Sequence, residues 1–210
     1  MFHGVSKAVA VGALALGLSA CTTYIIDGES VDLGIRYALP NASVDTAPVS
    51  MGANYPAAFQ AARSRLRTAG FSIMSADQST GVIRVESNEN QLVNCGTIQV
   101  GPRSEPRSFD GNAAASMIEA PAGPGQSSFL RRSVASYTVA TVTVAADPAR
   151  GGGIFAAVSE SHTVKLAFTQ VADGSEAYSE TISFENGDTG RFTRGLVCQS
   201  AGAVRSAISG

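Results

Sequence analysis

Hydrophobic residues are spaced along this 210-residue chain in three distinct ways, and each predicts a different element. Residues 8–18, AVAVGALALGL, form an apolar run with no period. Residues 55–69, YPAAFQAARSRLRTA, set Tyr55, Ala58, Phe59, Ala62, Leu66 and Ala69 on one stripe at the 3.6-residue period, which predicts an amphipathic helix. Asn54 stands where a cap belongs, Pro56 suits the first turn, and Gly70 is a natural residue just past the end. Residues 71–74 and 82–86 then alternate around the turn ADQSTG and predict a hairpin. LVNCGTIQV, residues 92–100, supplies a third strand carrying Cys95.

The second half alternates more plainly. SVASYTVATVTVAAD, residues 133–147, puts Tyr137, Val139, Thr141 and Thr143 on one face and Thr138, Ala140, Val142 and Val144 on the other. Both faces are semi-apolar, as in a central strand. DPARGGG turns, Val164, Leu166 and Phe168 share one face of the next strand, and Tyr178, Ile182 and Phe184 mark another after ADGSEA. Strands joined by Gly and Asp turns predict an antiparallel meander, and residues 198–209 a short terminal helix. Residues 101–133 are rich in Pro, Gly, Ala and Ser, so a long flexible loop is expected there, not a second domain. The sum is an α+β fold: an antiparallel sheet of about five to six strands packed by one amphipathic helix and a short C-terminal helix. A β-sandwich is the alternative if the first helix is misread.

The apolar run near the N-terminus changes the picture. Lys7 precedes it and the small residues Ser19 and Ala20 follow, which is the order of a secretory signal over residues 1–20. The run is too short for a spanning helix, which needs about 20 apolar residues. LSAC, residues 18–21, resembles the bacterial lipobox. That resemblance implies a diacylglyceryl group on the Cys21 sulfur, cleavage just before Cys21, and attachment to the outer membrane on its periplasmic face. Thr22 follows, not the aspartate that the resemblance associates with retention at the inner membrane. More than one acyl chain is needed for firm anchoring, since a single myristoyl binds only marginally. Residues 21–50 are expected to be a lipidated tether, with YII and LGIRYAL able to add an edge strand. At roughly 5–6 Å times the square root of its length, such a tether holds the domain a few tens of ångströms from the bilayer. Residues 51–210 are then one periplasmic domain.

Removing the signal takes away one lysine and no acidic residue, so the formal charge of −2 becomes −3. A weakly acidic chain with few charges is a poor nucleic-acid binder, because that affinity comes from Lys and Arg on phosphates. With Cys21 lipidated, Cys95 and Cys198 are left as an even pair, which an oxidising compartment favours as a disulfide. The loop closed would be about 100 residues, for which chain entropy gives roughly 4–5 kcal/mol. Two buried free thiols are the other reading.

Candidate chemistry is sparse. His162, in SESHTVKL, is the single histidine after the signal, and a surface position on a strand is expected for it. There is no G-x-S-x-G elbow for a serine nucleophile, and GGGIF at Gly151 lacks the Lys-Ser/Thr of a phosphate loop. Two cysteines and one histidine without C-x-x-C spacing make a poor metal site. Glu176 and Glu180 have the residue type of a glycosidase acid–base pair, but charges at a turn and strand edge account for them equally. No enzyme activity and no cofactor are expected.

Residues 57–86, a helix followed by an alternating hairpin, resemble the helix-plus-hairpin units of small envelope lipoproteins of the BamC-like kind. That resemblance implies a non-catalytic domain that binds envelope proteins in assembly or envelope integrity. The alternative is a small-ligand or inhibitor-type module, which predicts a lined pocket beneath the helix.

Overall fold

The structure is a computed structural model describing residues 23–26, 29–32, 35–40, 44–100, 107–112, 115–123 and 126–210. The expected signal and Cys21 lie outside these residues. Among them run, in order, β1 (Thr23–Ile26), β2 (Glu29–Asp32), β3 (Arg36–Ala38), β4 (Val49–Gly52), α1 (Tyr55–Thr68), β5 (Ser72–Asp77), β6 (Val82–Ser87), β7 (Val93–Asn94) and β8 (Thr97–Val100). There follow β9 (Arg107–Asp110), β10 (Ala115–Gly123), β11 (Gln126–Asp147), β12 (Gly153–Gln170), β13 (Glu176–Glu185), β14 (Thr189–Arg191), β15 (Val197–Ser200) and α2 (Ala203–Ser209). The fold is α+β. Its main sheet has seven strands where about five to six are expected, and three smaller sheets accompany it.

The spine is the antiparallel ribbon of β11 and β12, paired from Leu130↔Gln170 to Asp147↔Gly153. β11 runs 22 residues without a glycine or proline, so nothing breaks its ladder. Asp147 ends it by accepting from the Ala149 amide in a turn completed by Gly151 and Gly152, both at positive φ. Each half of the ribbon has its own neighbours. Beside Thr138–Thr143 lie β6 and then β5, with β4 on the β12 side. Beside the other half lie β10 on β11 and β13 on β12.

β11 is central in the sheet, as its pattern predicts, but only one face is covered. Leu130, Val134, Ala140, Val142 and Val144 point inward and are buried, while Ala135, Tyr137 and Thr143 on the other face are exposed. The outward face of β12 and β13 carries Ser159, Ser161, Thr163, Lys165, Ser179, Thr181 and Ser183, small or polar side chains suited to water.

Two apolar clusters form on the covered face. Phe59, Ala62 and Leu66 of α1 and Val204 and Ile208 of α2 pack over Ile83, Val85, Val142 and Ala156. Asn54 caps α1 by accepting from the Ala57 amide at 3.0 Å. Arg65 ties the helices together by donating to the Ile208 carbonyl at 2.6 Å. Gly81, at φ +75°, lets the β5–β6 turn close on β11: its carbonyl accepts from the Val144 amide, and a Cβ there would lie 2.2 Å from the Val144 oxygen. The second cluster gathers Leu130, Val134, Leu166, Phe168, Phe184, Phe192 and Leu196 around Cys95 and Cys198.

Two segments differ from the sequence expectation. Residues 107–133, expected to lie within a flexible loop, instead hold β9, β10 and the start of β11. A strand needs a partner ladder more than it needs apolar side chains. β9 pairs with β8 while exposing Arg107, Ser108 and Asp110. Pro121 is accommodated in β10 because that strand is paired by β11 and ends in an irregularity between Pro121 and Gly123. The second segment is the expected tether, 21–50, which contains β1 to β4 in whole or part. Ile35 and Val49 are buried, β3 pairs with β8, and Asp45 meets Arg205 at 2.6 Å.

Candidate functional site

Among the sequence-predicted residues, Cys95 and Cys198 are brought together as a disulfide across a separation of 103 residues. Cys95 lies between β7 and β8 and Cys198 within β15, which pairs with β7 through Gln199↔Asn94 and Ser200↔Val93. Both sulfurs belong to fully buried residues of the second cluster. The chain's end is thereby pinned to the strand region that carries Cys95.

His162 corrects the sequence expectation. It is fully buried, not a surface residue, at the inner face of β12 between the two apolar clusters. Thr138 is its direct partner across the ribbon, with Oγ1 2.8 Å from Nδ1. Nε2 lies 3.1 Å from Oε2 of Glu160, two residues away on the same face. Ser200 donates its hydroxyl hydrogen to the same carboxylate oxygen and accepts from the Gly202 amide. Phe184 stacks on the imidazole at 5.1 Å between centroids. Since Glu160 acts as an acceptor, Nε2 carries a proton; Thr138 then donates to Nδ1 of the neutral ring or accepts from the protonated one. Glu160, Thr138 and Ser200 are each at most 3 % exposed.

The order of these groups decides their chemistry. Serine catalysis needs the base bonded to the nucleophile and the acid behind the base. Here the carboxylate stands between Ser200 and His162, so the imidazole does not contact the serine hydroxyl; Thr138, His162 and Glu160 do stand in the required order, but Thr138 is only 1 % exposed. With every member buried, the cluster is a polar clasp joining β11, β12 and β15.

Glu176 and Glu180 are each occupied by separate partners. Glu176 accepts from the Ser179 hydroxyl and lies 3.8 Å from Lys165. Glu180 accepts from the Tyr178 hydroxyl, the Thr193 amide and the Thr193 hydroxyl. Burial opposes ionisation of Glu180, but the hydrogen bonds from Tyr178 and Thr193 outweigh it and hold its pKa below the ordinary value. Burial and the adjacent carboxylate push Tyr178 up to about 12, and Arg194 covers its ring at 4.3 Å. Among the described residues, no three His, Cys, Asp or Glu side chains come together as a set able to hold a metal ion.

The inner side of α1 is filled by Phe59, Ala62 and Leu66, and a concavity lies elsewhere. It is a groove of about 740 Å³ where the main sheet splits. β10 leaves β11 at Ser133 and β6 joins it at Thr138, so among the described residues the edge of β11 between them has no strand neighbour. Asn90 fills the gap as a substitute peptide, its amide donating to the Val134 carbonyl at 2.9 Å and its oxygen accepting from the Ser136 amide at 2.9 Å. Asn112 braces the same wall by accepting from the Cys95 amide and donating to the Val93 carbonyl. Asn88, Gln91, Tyr137 and Lys165 line the opening. No sequence signal marks this site, because it depends on where two distant strands meet β11.

Asn90→Ala is expected to leave both groups of β11 without a protein partner and to cost about 1–3 kcal/mol. Amide exchange would locate the effect. The Ser136 amide should lose protection ahead of its neighbours, and unchanged protection there would remove the role assigned to Asn90.

No protein-family model, curated protein or solved structure matches the chain.

Proposed function

We propose that the chain is an exported lipoprotein, anchored through Cys21 to the periplasmic face of the outer membrane, whose folded domain binds envelope proteins without catalysis. The observation that carries this reading is the buried Cys95–Cys198 disulfide in a chain that begins with a signal-like run ending in LSAC. Such cross-links persist in oxidising compartments, and both features then call for the same destination. The groove at the split in the sheet is the docking surface: amide, tyrosine and lysine side chains surround an edge of β11 whose backbone Asn90 meets. One observation favours the second reading, a small-ligand module, namely a groove volume within the range of about 300–1,000 Å³ usual for ligand pockets.

The test combines labelling with crosslinking in intact cells. Radiolabelled palmitate should enter the wild type and not Cys21→Ala. A photo-crosslinking residue placed at Gln91 should then capture a defined envelope protein, with capture lost in Cys21→Ala. A small molecule retained in native mass spectrometry, without protein capture, transfers the function to the second reading. No label in the wild type rejects the anchor.

A further inference from the structure

We infer that the end of the β11–β12 ribbon carrying Phe129 and Val171 rests on the lipid bilayer; this rests on the proposed anchor at Cys21. The first ground is the length of free chain. β1 begins at Thr23, so one residue separates it from Cys21. Two residues of extended chain reach about 7 Å. The ordered hairpin of β1 and β2 therefore starts at the membrane surface, whereas a thirty-residue tether would leave the domain's orientation free.

The second ground is where that hairpin sits. β1 lies against β13 and β2 against β10, the strands that flank only one half of the ribbon. An anchor beside this half draws its end toward the lipid and points the α1–α2 half away. The third ground is the surface found there. Phe129 and Val171 face each other across the ribbon, joined by the Val171 amide and the Phe129 carbonyl at 2.9 Å, and each is 47 % exposed. From Ala120 through Leu130 the sequence carries no charge. A hairpin tip without charge and with an exposed aromatic beside it suits the region between headgroups and acyl chains, where aromatic side chains concentrate, with Asp173 of the adjoining turn left to the headgroups.

The absence of tryptophan from the chain makes the test direct. Lipidated full-length Phe129→Trp and Met74→Trp proteins are reconstituted into vesicles of phosphatidylethanolamine and phosphatidylglycerol with brominated acyl chains. Met74 is exposed on β5, about 35 Å farther along the ribbon at strand spacing. Bromine should reduce Phe129→Trp emission at least twofold and leave Met74→Trp emission within a tenth of its value in unbrominated vesicles. Val171→Trp serves if circular dichroism shows that Phe129→Trp is misfolded. Flotation with the vesicles tests the anchor separately. Protein that floats with the Phe129 reporter unquenched, or with both reporters quenched, overturns this orientation and leaves the anchor standing. Protein that fails to float overturns both.

Discussion

Replacing Cys95 and Cys198 together by alanine is expected to lower stability by about 2–5 kcal/mol, the usual cost of removing a native disulfide. The cross-link closes a long loop, and it does so inside the second apolar cluster, beside Ile98, Phe192 and Leu196. Its loss restores conformational freedom to the unfolded chain and also removes packed sulfur from a site with no exposed surface. Urea unfolding followed by circular dichroism measures the effect, with and without dithiothreitol. The wild type under reductant should approach the double variant. If reductant leaves the wild-type midpoint where it was after the thiols are shown to be free, the disulfide does not hold this half of the molecule.

His162→Leu should cost about 1–3 kcal/mol or more, the range for leaving buried polar groups without a hydrogen-bond partner, larger where one of them is a carboxylate. Leucine fills much of the imidazole's space against Phe184, but Glu160 loses a donor and Thr138 its partner. The pair His162→Leu with Glu160→Leu should be less damaging than the sum of the two single changes, because no carboxylate is then left buried without His162. Denaturant midpoints for the two singles and the double complete the cycle. Additive losses would show that Glu160 and His162 contribute independently and that the clasp is not a unit.

Much of the fold is legible in local patterning. The α1 stripe ends within one residue of its expected limit, and the β5–β6 hairpin and long alternating β11 follow from the same periodicities. His162 could have been placed too. It shares strand parity with Val164, Leu166 and Phe168, all buried, and only its polarity argued for the surface. What outweighs that polarity is Thr138 on the neighbouring strand and Glu160 two residues away, and the first becomes visible only with the ribbon's register. Residues 107–133 were illegible for a different reason. Composition reports what can fill a core, while β9 and β10 are held by backbone ladders to β8 and β11. The docking of residues 35–50 turns on a few contacts, Ile35, Val49 and the Asp45–Arg205 pair, within a stretch otherwise typical of a linker. The Asn90 groove is the least legible feature, since four separate segments define it.

The pairing of β7 with β15 has a temporal consequence. A chain synthesised from its N-terminus presents residues 93 and 94 well before residues 199 and 200. The half of the molecule built around Cys95 cannot close until residues 197–200 are available to pair. Pairings so distant in sequence also form slowly. The topology thus keeps this half of the molecule open until β15 arrives, and makes the pairing of β7 with β15 its final locking step.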